Sequence, residues 1–176
     1  MQAEADAAPL AVAPAGSDPR LHAILDTVLD PEIPALSVTD LGIVRFARQT
    51  ASGQVQVGVS PTYSGCPATQ IIKSSIAAAL HLAGFSDVAV IEVLAPPWTS
   101  DWITANGRRK LRAYGIAPPA ESVATPRRLL QTALDVACPR CASTATDRLS
   151  EFGSTPCKAL YRCTNCLEPF DYFKCI

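Results

Sequence analysis

Basic residues are missing from the start of the chain: Met1 to Asp18 is rich in Ala and Pro and holds Glu4 and Asp6 but no Lys or Arg. A secretory leader begins basic and runs on into an unbroken apolar stretch, so this segment reads as a disordered tail over residues 1–18. No run of eighteen apolar residues occurs, and no membrane span is expected. A cytoplasmic location follows as the expectation. Neither Gly-x-Gly-x-x-Gly nor a Walker sequence is present, which leaves a nucleotide enzyme with little support. Histidine is scarce: His22 and His81 both fall on predicted helices and read as ordinary helix residues. Aromatics are few as well, with five Phe, four Tyr and two Trp, yet hydrophobic residues make up 48%. The core must therefore be built from Val, Ile, Leu and Ala.

What is present is cysteine. Seven of them in a reducing cytosol suggest metal ligands before disulfides. Charge is also uneven. Residues 1–100 carry four Lys/Arg against nine Asp/Glu, near −5, while residues 101–176 carry eleven against seven, near +4. Such polarity suits an acidic partner surface, although a solvated face is the more ordinary meaning of a charge bias.

The stretch Pro61-Thr62-Tyr63-Ser64-Gly65-Cys66-Pro67-Ala68 lies between two strong local patterns. Before it, Gln54 to Ser60 alternates with period two, as a half-buried strand does; after it, Ile72, Ile76, Ala79, Leu80 and Ala83 recur at helical spacing up to Gly84. Gly65 and Pro67 put Cys66 at or beside the helix N-cap. A thiol there faces unpaired N–H groups and the positive helix end, which favours thiolate and makes the sulfur available to a metal or electrophile. The plainer alternative is a small capping residue that only packs.

Leu21, Ile24, Leu25, Val28 and Leu29 share one face of a helix predicted over Arg20 to Leu29, with Ser17 or Asp18 as cap. Asp30-Pro31-Glu32-Ile33-Pro34 breaks it. The two acids could bind metal or move protons, but solvated acids in a turn are the commoner outcome. Asp40-Leu41-Gly42 then turns into a strand at Ile43 to Phe46, which pairs with Gln54 to Ser60 across the Thr50 to Gly53 turn; Val88 to Leu94 is a third strand. The order predicts a small α+β sandwich, a mixed sheet with helices on one face. Pro96-Pro97 leads to Trp98 and Trp102 and a predicted helix from Thr99 or Ser100 to Tyr114, whose Arg108, Arg109, Lys110 and Arg112 form a basic cluster. The commonest role is an exposed face over packed tryptophans. The alternative is a surface for an acidic protein or a phosphorylated carrier such as coenzyme A.

Cys138-Pro139-Arg140-Cys141 and Cys163-Thr164-Asn165-Cys166, with 21 residues between, can direct four thiolates to a tetrahedron around Zn²⁺ and leave no open position. Iron in a rubredoxin-like site is the rival. Strands at Asp147 to Phe152, Lys158 to Tyr161 and Phe170 to Lys174 would complete a small all-β zinc ribbon, held together largely by its metal. The expected organisation is a domain over 19–115, a linker over 116–136 and the ribbon over 137–176, with the Arg127 to Val136 segment readable as helix or strand. Cys157 and Cys175 could replace a knuckle cysteine, form a second site with Cys66, or pack inside the ribbon; packing is favoured because neither has a Cys-x2-Cys partner. Four thiolates and one Zn²⁺ would lower the C-terminal charge to about +2, a poor footprint for nucleic acid.

The Asp30 to Pro34 run, the Asp40-Leu41-Gly42 turn and the Pro61 to Pro67 loop resemble the SufT-like iron-sulfur assembly family. Pro97 to Thr104, Gly107 to Leu111, Phe152 to Cys163 and Glu168 to Cys175 resemble the family of D subunits of bacterial phenylacetyl-CoA epoxidase, and that likeness covers nearly everything after the tail. The resemblance implies a non-catalytic component of phenylacetate degradation whose partners are the other epoxidase subunits: an oxygenase with a di-iron centre and a reductase with an iron-sulfur cluster. It implies that Cys66 is the family's reactive cysteine, transiently holding iron or a cluster, with Asp30, Glu32, Asp40 and Thr62 near it. Ala142 stands where the family pattern calls for glycine. A purely structural subunit, holding the complex through Trp98 to Arg112 and the ribbon, is the competing function. A thiol enzyme is a third, lacking a nearby base. Self-association is left open.

Overall fold

The computed structural model describes residues 18–63, 65–119 and 136–175. The tail up to Ser17, Ser64 of the Cys66 loop, and residues 120–135, where the centre of the expected linker and the ambiguous Arg127 segment fall, lie outside the described residues. Helix α1 spans Pro19–Leu25, and Asp18 caps it by accepting the Arg20 N–H at 2.9 Å. It stops short of the predicted Leu29 because Thr27 and Val28 donate to Ile24 and Leu25, tightening the last turn. Leu29 instead bridges to Ser37 and is half-exposed.

Strands β1 (Val44–Gln49) and β2 (Val55–Val59) pair antiparallel, and β3 (Val88–Glu92) adds parallel to β2, giving a mixed sheet in the order β1-β2-β3. Between β2 and β3 runs α2 (Ala68–Leu82), whose buried Ile72, Ile76 and Leu80 pack in one cluster with Val55, Val57 and Val59. Each such side chain is worth roughly 1.5–3 kcal/mol in burial. Gly84, in the left-handed region at φ +96°, follows the Ala83 cap and ends the helix, as its place after the apolar stripe predicts.

The helix predicted from Thr99 to Tyr114 is two pieces. Thr99 caps a single 3₁₀ turn over Ser100–Trp102; Thr104 then caps α3 (Ala105–Ala113) by accepting the Gly107 N–H at 2.9 Å. Between them Ile103 is extended and buried. Local propensity runs through this point, and the break is made by burial of Ile103 in the core.

The second sheet has the order β4-β7-β6-β5. Strands β5 (Thr146–Ser150), β6 (Lys158–Cys163) and β7 (Pro169–Phe173) are antiparallel neighbours. The short β4 (Ile116–Ala117), which no local pattern announces, lies parallel to β7. Among the described residues three helices, a mixed sheet and a second β-sheet make up the expected α+β class. No helix among the described residues is long and apolar enough to cross a membrane.

Two apolar clusters do not follow the two sheets. Ala117, Val136, Ala159, Tyr161, Phe170 and Tyr172 pack with Cys138, Cys163 and Cys166. Cys157 and Phe173, both from the ribbon, belong to the main core instead. There Phe173 meets Trp98 with ring centroids 6.0 Å apart.

Candidate metal and thiol sites

The sulfurs of Cys138, Cys141, Cys163 and Cys166 all lie within 4.8 Å of one another. Cys138 and Cys166 are separated by 3.7 Å and Cys141 and Cys163 by 3.6 Å. A tetrahedron with metal–sulfur bonds of about 2.3 Å has edges of about 3.8 Å, so the donor set fits a closed four-thiolate metal site. The Cys166 N–H points at the Cys163 sulfur from 3.4 Å, and such bonds pull the Cys163 thiol down to about 7. An Arg140–Glu168 ion pair ties one knuckle to the other.

Each knuckle closes on a left-handed residue, Ala142 at φ +60° and Leu167 at φ +63°. The turn thus forms with alanine in the glycine position, at a strain of about 1–2 kcal/mol. Ala142→Gly is expected to gain about 1 kcal/mol, with glycine's extra unfolded-state freedom offsetting part of the relief. Thermal unfolding of the metal-loaded protein should rise by roughly 2–4 °C; no rise would mean that the knuckle is unstrained.

Cys66 sits one residue before the α2 N-cap, Pro67, and is neither sealed nor fully open. Gly65 at φ +83° turns the loop, and the Cys66 N–H donates to the Tyr63 carbonyl. The thiol opens onto a cavity of about 30 Å³, lined also by Asp30, Glu32, Thr62, Thr69, Cys157 and Phe173. A water needs about 10–15 Å³ of such space, so the cavity suits a single ion with a water or two rather than coenzyme A.

Asp30 is not the solvated acid that a proline-rich turn suggests. It is buried and accepts the N–H groups of Glu32 (2.9 Å) and Ile33 (2.7 Å). Burial raises its pKa against those hydrogen bonds. Glu32 is raised too, by burial and then by the Asp30 charge. The Tyr63 hydroxyl is enclosed beside the Cys66 thiol. Burial first, then the adjoining Cys66 thiol, pushes it up to about 12.

Thr62, Asp30 and Glu32 thus meet Cys66, and Asp40 does not. Its carboxylate holds α3 in place through Lys110 at 2.5 Å, Asn106 at 2.8 Å and the Ser37 N–H at 3.1 Å. Burial alone would raise its pKa, but Lys110, Ser37 and Asn106 together bring it below the usual value. The expected partner surface is also partly spent. Trp98 is buried and donates its indole N–H to the Leu41 carbonyl at 3.0 Å. Trp102 lies under the Arg45 guanidinium, 3.4 Å from the ring centre. Arg108 donates to the carbonyls of Ser100 and Pro119, and Lys110 holds Asp40. Arg109, bonded to Asn106, and Arg112 remain exposed.

Neither histidine lines the cavity: His22 faces Asp26 at 3.6 Å and His81 faces the Phe85 carbonyl at 2.8 Å. Cys157 is favoured by its sequence context to pack inside the ribbon, with a second site beside Cys66 as an alternative. It is buried in the main core and lines the Cys66 cavity. Its spacing to Cys163 carries no signal of that placement. Cys175 packs against the ribbon cluster.

Residues 20–92 match the family described as "Iron-sulfur cluster assembly protein", and residues 122–174 match "PaaD zinc beta ribbon domain". Over 161 residues, 90% of this chain and 94% of the relative, the sequence is 51% identical to a protein of Escherichia coli (strain K12) named as the putative D subunit of 1,2-phenylacetyl-CoA epoxidase. Among solved structures, a domain of unknown function, DUF59, from Bacillus anthracis is 24% identical with a TM-score of 0.49, over 52% of this chain and 88% of that one. A Mycobacterium tuberculosis protein described as associated with Fe-S complex assembly and repair is 32% identical with a TM-score of 0.33, over 54% and 82%.

Proposed function

The chain belongs to the family of phenylacetyl-CoA epoxidase D subunits, and from that membership we propose that it is an accessory, non-catalytic component of the epoxidase system that assists assembly of an iron-sulfur or di-iron centre in the oxygenase or reductase. Cys66 is the working group, taking up iron or a cluster as cargo and passing it to a partner protein of that system in the cytoplasm. The ribbon metal is Zn²⁺, held by Cys138, Cys141, Cys163 and Cys166. Bound there it supplies shape, since four thiolates leave no coordination position for chemistry.

The observation that carries this reading is the half-open Cys66 thiol at the mouth of an ion-sized cavity walled by Asp30, Glu32 and Thr62. The groups lining the cavity beside the sulfur are carboxylates rather than a histidine. Sulfur with carboxylate is a donor set for iron.

The test is to express the epoxidase subunits with wild-type chain, with Cys66→Ser and with no chain, and to measure iron in the purified oxygenase and reductase. Client iron with Cys66→Ser is expected to fall to the level found without the chain, while the variant keeps its zinc and its melting temperature. Unchanged client iron, together with permanent stoichiometric association, would instead make the chain a structural component of the complex.

A further inference from the structure

Cys157 is a buried nucleophile that the assembly reading does not use. It belongs to the ribbon by sequence, yet it stands outside the four-sulfur cluster, is 5% exposed and lines the Cys66 cavity. Two sulfurs and the carboxylates of Asp30 and Glu32 therefore face one small space. Cys157 feels the charges of Glu32 and Asp30, and Tyr63 lies near enough to feel Cys66, Glu32 and Cys157. Lys158, the cation acting on Asp30, Glu32 and Cys157, is itself paired with Asp171 at 3.8 Å. Asp30 and Cys157 are buried and Glu32 and Cys66 half-buried, and an ion bound among them would offset the cost of ionising the buried pair.

We propose that Cys66 and Cys157 are paired sulfur ligands for a single ferrous-class ion, with the Glu32 carboxylate as third donor, so that the ribbon contributes half of the thiols at the loading site. Asp30 is less suited to be that donor, because its Oδ1 already serves two backbone N–H groups. The Glu32 carboxylate makes no hydrogen bond or ion pair among the described residues. Two thiolates and a carboxylate select a borderline transition metal over Ca²⁺ or Mg²⁺. Each thiol gives its proton to solvent as the ion binds. Among the described residues only the ribbon sulfurs are already gathered into one coordination sphere, so the Cys66, Cys157 and Glu32 donors have to draw together as the ion binds.

The proposal rests on the assembly reading and names its second ligand. Anaerobic protein with a zinc-loaded ribbon is titrated with Co²⁺ as the probe, in wild-type, Cys66→Ser and Cys157→Ser forms. Wild type should take up one ion beyond the ribbon metal with thiolate-to-cobalt absorption, and each serine variant should bind more than about tenfold more weakly. Because Cys157→Ser disturbs a buried site, X-ray absorption at the cobalt edge of the wild-type protein gives a second count, with two sulfur neighbours expected. One sulfur neighbour, or wild-type affinity in Cys157→Ser with loss in Cys66→Ser, would overturn the pairing and leave the assembly role in place. No additional ion in wild type would remove the pairing, and unchanged client iron with Cys66→Ser would remove the assembly role.

Discussion

A Cys163→Ser chain is expected to lose its ribbon metal and, with it, part of the main core. Cys163 is fully buried, belongs to the ribbon's apolar cluster and supplies one of the four sulfurs. Serine keeps the shape but offers no thiolate. A structural zinc site supplies about 10–16 kcal/mol of apparent folding free energy in zinc-finger peptides, whereas a whole domain is stable by about 5–15 kcal/mol. The ribbon's own apolar burial cannot make up that difference. The loss spreads because Phe173 and Cys157 are ribbon residues packed in the other cluster, with Phe173 against Trp98. Elemental analysis should find no bound zinc, and the near-ultraviolet tryptophan signal should collapse along with the ribbon's. A metal-free variant with that signal intact would show that packing alone holds the ribbon.

Gly42→Ala carries the second large effect. Gly42 has φ +66°, and a Cβ built on it would lie 2.2 Å from the Trp102 carbonyl oxygen and 2.8 Å from the Trp102 Cβ. The first of these is a backbone atom, which cannot swing away. Left-handed strain of about 1–2 kcal/mol and overpacking of about 1–3 kcal/mol together predict a loss of about 2–5 kcal/mol. Gly53→Ala is the control: its φ is +90° and nothing lies within 4 Å of the added carbon, so it should lose the strain alone. Urea unfolding of both variants isolates the contact with Trp102. Equal losses would mean that the Trp98 to α3 segment does not rest on the Asp40-Leu41-Gly42 turn.

Local chemistry made much of this molecule legible. The period-two run became β2, the apolar stripe of α2 ended where Gly84 required, and the two Cys-x2-Cys pairs put their sulfurs together. What escaped depends on partners far along the chain. Asp40 looked like a neighbour of Cys66, but Lys110, 70 residues on, fixes its place. Asp30 looked solvated because nothing local tells that its turn will be covered. The break at Ile103 and the two-residue β4 are made by tertiary burial and pairing, for which short segments carry no periodicity. Cys157 beside Cys66 could be held only as one alternative among three for the same reason: a lone cysteine says nothing of which core it joins.

The cavity beside Cys66 has a lining drawn from both ends of the fold, with Asp30 and Thr62 on one side and Cys157 and Phe173 on the other. Such a vessel exists only once the later-made module has taken its shape. On the proposed assembly role, the ribbon metal has to be in place before any cargo is taken up. A cell short of that metal would then accumulate chains unable to take up a load.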